Sequence, residues 1–280
     1  MLLAATSFVA LACAWWVGGQ LVAARPCAIG APPADLPAQD LSLVAPDGVA
    51  LRGWYVPCER PRGVVVLLHG IGGSRLAMVD RARMLRAAGY ALVMIDLRAH
   101  GESGGERISA GHFERLDARA AVEFARTAEP RAPIGVIGVS LGGAAALLAS
   151  PLGIDALVLE SVYPNITAAI HNRVAARLGW LSYVPAELLL LQLAPRLRVS
   201  PAELRPEDLL PRVGCPLLLI SGSQDRHTPA QEARAMLERA PALKELWLVA
   251  GAAHVDLHRA SPGEYRRRVL EFLDANLRPR

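Results

Sequence analysis

The sequence predicts an α/β fold, a mostly parallel sheet of eight strands with helices on both faces. Three observations lead there. Short apolar runs alternate along the chain with stretches whose apolar residues fall at helical spacing. Most of the runs are apolar throughout, as strands covered on both faces require. The length, 280 residues, suits one large α/β unit with a single sizeable core.

In order, residues 41–45 and 49–56 flank Pro46-Asp47-Gly48, a turn signal, and predict an opening antiparallel hairpin. Six continuous apolar runs follow at 64–68 (VVVLL), 91–96 (ALVMID), 134–138 (IGVIG), 154–160 (IDALVLE), 216–221 (PLLLIS) and 245–250 (ELWLVA). Helical spacing fills 74–88, 113–128, 141–149, 230–239 and 263–277 between and after them. The interval after the sixth strand breaks the rhythm. Residues 161–210 carry further helical patterns at 166–178 and 186–193, with prolines at 185, 195, 201 and 206, and predict a helical cap over the carboxyl ends of the strands.

The chain opens differently. Residues 2–24 carry no charge and as a helix reach about 35 Å, enough to cross a hydrocarbon core. Residues 1–25 therefore predict a membrane anchor, with a cleaved signal peptide ending at Val22-Ala23-Ala24 as the competing reading. The anchor is favoured because no Lys or Arg precedes the run and the run exceeds the usual signal-peptide core. Arg25 alone leaves the side of the membrane open. Residues 26–39, rich in Pro and Ala, predict a linker to a domain over 40–280.

Composition excludes several classes. With 52% hydrophobic residues the chain is neither disordered nor fibrous. Its net charge of +4 is not gathered into a basic stripe with interleaved aromatics; Arg266-Arg267-Arg268 reads as a solvated helix face, which argues against nucleic-acid binding. Cys13, Cys27, Cys58 and Cys215 form no CxxC pair, so no metal site is predicted, and only Cys27 with Cys58 stands as a pairing that an oxidising compartment would permit. Oligomeric state is left open.

The chemistry begins at Gly138-Val139-Ser140-Leu141-Gly142, a G-x-S-x-G motif between a buried strand and a helix of small residues. A sharp strand-to-helix turn projects a serine hydroxyl and sets it above a helix N-terminus that favours negative charge. The serine needs a base, and of seven histidines His254 follows the last strand in a loop of small residues. The imidazole needs a carboxylate to fix its tautomer; Asp225, just past strand 216–221, suits that role, with Glu160 as the alternative acid.

With Ser140, Asp225 and His254 in this order after three strands, the chain resembles the α/β-hydrolase superfamily over about residues 41–277. It is most similar to the serine-hydrolase branch with a helical cap after the sixth strand, including bacterial members with an N-terminal membrane segment. The resemblance implies that His69-Gly70-Ile71-Gly72-Gly73 is the oxyanion loop, with the N–H groups of Ile71 and Leu141 as donors and His69 as a structural loop residue. It implies that residues 96–103 (DLRAHGES) are scaffold, with Ala99 where the family usually has Gly; an alanine there is expected to avoid positive φ and to alter the loop's path slightly. It implies acyl transfer from an ester or thioester to water through an acyl-enzyme, with no metal or organic cofactor. The apolar cap and anchor point to a small acyl ester, hydrophobic in character, met at the membrane. Two alternatives stay open: a peptidase for short peptides, in which cap acids (Glu187, Glu203, Glu207, Asp208) read the substrate amine, and a non-catalytic membrane scaffold that kept the fold.

Overall fold

The computed structural model describes residues 2–240 and 243–278, residues 2–10 as helical backbone. Residue 1 of the expected membrane segment and residues 241, 242, 279 and 280 of the expected domain lie outside the described residues. The eight strands of the main sheet are β1 (Gln39–Val44), β2 (Ala50–Val56), β3 (Val64–Leu68), β4 (Ala91–Ile95), β5 (Ile134–Val139), β6 (Ala156–Glu160), β7 (Leu217–Gly222) and β8 (Lys244–Val249). They lie in the order β1-β2-β4-β3-β5-β6-β7-β8. The β1–β2 and β2–β4 pairs are antiparallel and all others parallel. The predicted α/β-hydrolase architecture is therefore the observed one.

The sheet divides the core in two by side-chain alternation. Val64, Val66 and Leu68 of β3 face the layer that holds α3 (Glu114–Ala128), α4 (Leu141–Leu148) and α8 (Ala230–Arg239). Val65 and Leu67 face the layer of α2 (Val79–Ala87), the short α9 (Leu257–Ala260) and α10 (Pro262–Asn276). Every residue of β3, β4, β6 and β7 is buried, which explains runs with no polar phase. The basic run 266–268 lies on α10, where Arg267 and Arg268 both pair with Glu264 at 2.7 and 2.6 Å.

Between β6 and β7 the chain forms α5 (Ile166–Leu178), α6 (Tyr183–Leu190) and α7 (Leu193–Leu197), followed by short 3₁₀ turns. The first helix, α1 (Leu2–Val22), packs along α6. Gln192 Nε2 donates to the Ala14 carbonyl at 3.0 Å, and the Arg196 guanidinium lies 4.0 Å from the Trp15 ring centre while donating to the Trp15 carbonyl.

The stretch after α1, expected as a linker, lies against the domain. Residues Arg25–Pro26 pair in parallel with His100–Gly101, and Ile108 N–H donates to Val22 O at 2.8 Å. Ile29 and Leu36 are buried, and Ile29 N–H donates to Glu102 Oε1 at 3.1 Å. Pro and Ala signal an extended tether, and backbone pairing together with two apolar side chains seats it on the domain. Cys27 and Cys58 are free thiols, not a disulfide.

Candidate active site

Ser140 stands at the junction of β5 and α4 with φ 47° and ψ −105°, and is 5% exposed. Positive φ is costly for a residue with a Cβ, and tight packing on both sides holds it here. A Cβ at Gly142 would collide with the Leu68 carbonyl, and one at Gly138 with the backbone of Gly143, so the motif's glycines let α4 lie against β3 and β5. Ser140 N–H donates to Glu160 O of the adjacent strand at 2.8 Å. Leu141 is the first residue of α4, so its N–H has no carbonyl one turn back in the helix and is free to face a ligand.

Asp225 and His254 come together: His254 Nδ1 lies 2.8 Å from Asp225 Oδ2. The loops that carry them are tied, since Ser223 N–H donates to Val249 O at 3.0 Å and Gln224 N–H to Ala252 O at 2.8 Å. Asp225 Oδ1 accepts from the N–H groups of His227 and Thr228 at 2.8 and 2.9 Å, and Oδ2 from the Thr228 hydroxyl at 2.6 Å. Burial alone would raise the Asp225 pKa, but hydrogen bonds from His254 and Thr228 outweigh it and hold the carboxyl down at about 2. The carboxylate is thus charged at neutral pH and aimed at the imidazole. Ser140 and His254 are not hydrogen-bonded to each other; such contacts are often long without substrate and tighten in the reacting complex. The strands that deliver them, β5 to β8, are consecutive neighbours.

Glu160, the alternative acid, is committed elsewhere. It accepts from Arg81 Nε and a terminal Arg81 nitrogen at 2.9 and 2.6 Å and from the Tyr265 hydroxyl at 2.5 Å, so its carboxylate is engaged away from His254.

The loop after β3 is held by two buried histidines. Leu97 N–H donates to His69 Nε2 at 2.9 Å, which leaves the ring proton on Nδ1 to bond the Gly70 carbonyl at 2.8 Å. Gly73 N–H donates to the same carbonyl at 3.1 Å. A peptide's C=O and N–H point opposite ways, so fixing the Gly70 carbonyl fixes the Ile71 N–H in the other direction. Burial lowers the His69 pKa to about 3, so the ring is neutral. His100 performs the same service one peptide on, its Nε2 accepting from Gly72 N–H at 3.1 Å. Sequence reasoning missed His100; its signal was its place in residues 96–103, read only as scaffold. His227 was missed too: its ring centre lies 5.0 Å from that of His254.

Residues 96–103 do brace the site. Asp96 accepts from Arg75 N–H and its guanidinium, both at 2.7 Å, and from Glu102 N–H at 3.0 Å. The expectation for Ala99 is corrected, because Ala99 takes φ 59°. Its N–H donates to Gly104 O at 2.7 Å and its carbonyl accepts from Arg25 N–H at 2.6 Å. These bonds outweigh a local preference of about 1 kcal/mol. Among the described residues no group of three His, Cys, Asp or Glu side chains is gathered as a metal-ligand set.

Comparison with known proteins bears on the family and the fold. The model of the family described as serine aminopeptidase, S33 matches residues 59–205. The uncharacterized protein Rv2307c of Mycobacterium tuberculosis is 30% identical over 229 residues, covering 79% of this chain and 74% of that protein. Human monoglyceride lipase is 29% identical over 268 residues, covering 82% and 88%. Among solved structures, the Pyrococcus furiosus esterase Pf2001 superposes with a TM-score of 0.73 at 28% identity, covering 91% of this chain and 98% of that one.

Proposed function

The chain belongs to the serine aminopeptidase S33 family and is a serine hydrolase of the α/β-hydrolase fold; from that premise we propose that it cleaves carboxylic esters with Ser140 as nucleophile, His254 as base and Asp225 as the orienting acid. The observation that carries this is the 2.8 Å contact between His254 Nδ1 and the charged Asp225, beside a serine held at positive φ on a helix N-terminus. His254 Nε2 takes the hydroxyl proton as the oxygen attacks the carbonyl carbon, and the oxyanion is met by the N–H groups of Ile71 and Leu141. The protonated imidazole gives its proton to the departing alcohol. Water then attacks the acyl-enzyme by the same route, and the acid product leaves with Ser140 restored.

The peptidase reading is disfavoured by the cap acids it would use. Glu187 pairs with His171 at 2.9 Å, Glu203 folds back on Ser200, and Asp208 pairs with Arg205 and Arg239 at 2.7 and 2.6 Å. Glu207 bonds Asn165 at 2.9 Å and pairs with Arg205 at 2.7 Å. The two readings part on substrate: 4-nitrophenyl esters of graded chain length should be hydrolysed and aminoacyl 4-nitroanilides should not, with ester turnover lost in Ser140→Ala and His254→Ala. Faster amide than ester turnover would reverse the choice.

We further infer that the enzyme works at a membrane. Among the described residues the helical stretch Ile166–Leu197 of the cap, made up of α5 to α7, is long and apolar enough to cross a membrane by length and composition, and the uncharged helix α1 (Leu2–Val22) lies against it. Trp180, Leu181, Val184 and Leu191 of the cap are exposed, as are Leu11, Trp15 and Trp16 of α1 that packs along it. Together they offer one apolar end to lipid, with tryptophans suited to the interface.

A further inference from the structure

The cap helix α5 runs over the loop that carries Asp225. Asn165 caps its N-terminus, accepting from Ala168 N–H at 2.9 Å, and Asn172 donates to the His227 carbonyl at 3.3 Å and to Glu232 Oε1 at 2.7 Å. Helical spacing defines the face turned to the domain. Ile166 and Ala169 are buried on it, and the same stripe continues one turn on as part-buried Arg173 and ends a turn later at exposed Arg177. A docking stripe that begins apolar thus becomes cationic where the helix passes His227 and, behind it, His254.

Arg173 is part-buried and has five N–H donors, yet it donates to the Ala169 carbonyl of its own helix at 3.1 Å. Among the described residues no carboxylate lies within ion-pair distance of its guanidinium. The acids whose fields reach it are already engaged: Asp225 by His254 and Thr228, and Glu232 through Oε1 by Asn172. Glu232 Oε2 is buried without a hydrogen-bond partner among the described residues. The positive charge is felt at the site, since the His227 pKa is lowered by burial, then by His254, then by Arg173. A part-buried cation kept out of an ion pair beside a reaction centre is costly unless a ligand completes it.

We propose that Arg173, supported by Arg177, reads an oxyanion on the substrate, so that the preferred esters carry a carboxylate or phosphate close to the scissile carbonyl. The planar fork of Arg173 suits either group, through two parallel N–H donors. This assignment rests on the esterase reading above and deepens it, naming what the cap selects.

Two matched pairs of esters test it on the full-length protein. 4-Nitrophenyl butyrate is compared with the mono-4-nitrophenyl ester of glutaric acid, and a monoacylglycerol with the same acyl chain on glycerol 3-phosphate. In the wild type the anionic member of at least one pair should have a kcat/KM about tenfold higher or more, mainly through KM, and the pair that shows it tells carboxylate from phosphate. Arg173→Gln should lower the anionic-to-neutral ratio about tenfold, Arg173→Lys should keep part of it, and high salt should weaken it. The assignment is overturned by a wild type without preference in either pair. It is equally overturned if Arg173→Gln slows both members alike and Glu232→Gln does the same, which would make Arg173 a structural partner of Glu232. No turnover of either member of either pair by the wild type would sink the esterase reading itself, whereas ester turnover with a ratio unchanged in Arg173→Gln sinks only the role of Arg173.

Discussion

Asp225 shows how much of this site is decided by single side chains. Its folded pKa of about 2 lies below the usual carboxylate value, so its ionised form stabilises the fold above about pH 3.8, and that stability is lost as pH falls through 2. The difference amounts to roughly 2 kcal/mol. Asp225→Asn should therefore lower kcat/KM at pH 7 by about 10³- to 10⁴-fold and flatten the loss of stability between pH 4 and 2, read by urea melts across that range. A variant that keeps wild-type turnover would remove Asp225 from the proposed mechanism. The placement of Ser140, Asp225 and His254 was legible because each follows a strand in a recognisable loop. His100 and Ala99 were not, since the role of one and the backbone of the other are set by partners distant in sequence: Gly72 for the histidine, Arg25 for the alanine.

At the scale of elements, the end of β6, α2, α10 and the loop carrying His254 meet at Arg81. This buried guanidinium bonds Glu160, Tyr265 and Asp256, the N-cap of a short helix just past His254. Arg81→Met strands the Glu160 carboxylate in the core and should cost about 3–5 kcal/mol in urea unfolding. Adding Glu160→Gln should recover part of that loss, and additive effects of the two changes would show that the pair is not coupled. The sequence located the strands of the sheet because their apolar runs are bounded by turn residues. It placed the second cap helix at 186–193, whereas α6 runs Tyr183–Leu190. Pro185 falls in the first turn of α6, where a proline gives up an N–H that has no acceptor in any case. Within residues 26–39, the expected linker, Ile29 and Leu36 are buried, a placement that Pro- and Ala-rich composition does not announce.

The proposed contact with lipid rests on exposed apolar residues of the cap and of α1, Trp180 and Trp16 among them. If the apolar end meets lipid, Trp180→Glu should cut the share of protein floating with phospholipid vesicles several-fold, while its melting temperature stays close to wild type because Trp180 is 90% exposed. Unchanged flotation would detach the cap from the membrane. The helical character of residues 2–22 was legible from their uninterrupted apolar run, but their packing against α6 was not, because nothing in a stretch without charges announces its partner. The central claim is that Ser140 is a nucleophile driven by His254, and the most direct measurement is intact-protein mass after brief exposure to a fluorophosphonate, with the modified residue mapped by peptide fragmentation. One phosphonyl group on Ser140 is expected, absent in Ser140→Ala and formed at least 100-fold more slowly in His254→Ala. Adduct formation that persists in Ser140→Ala, or proceeds at the wild-type rate without His254, would contradict it.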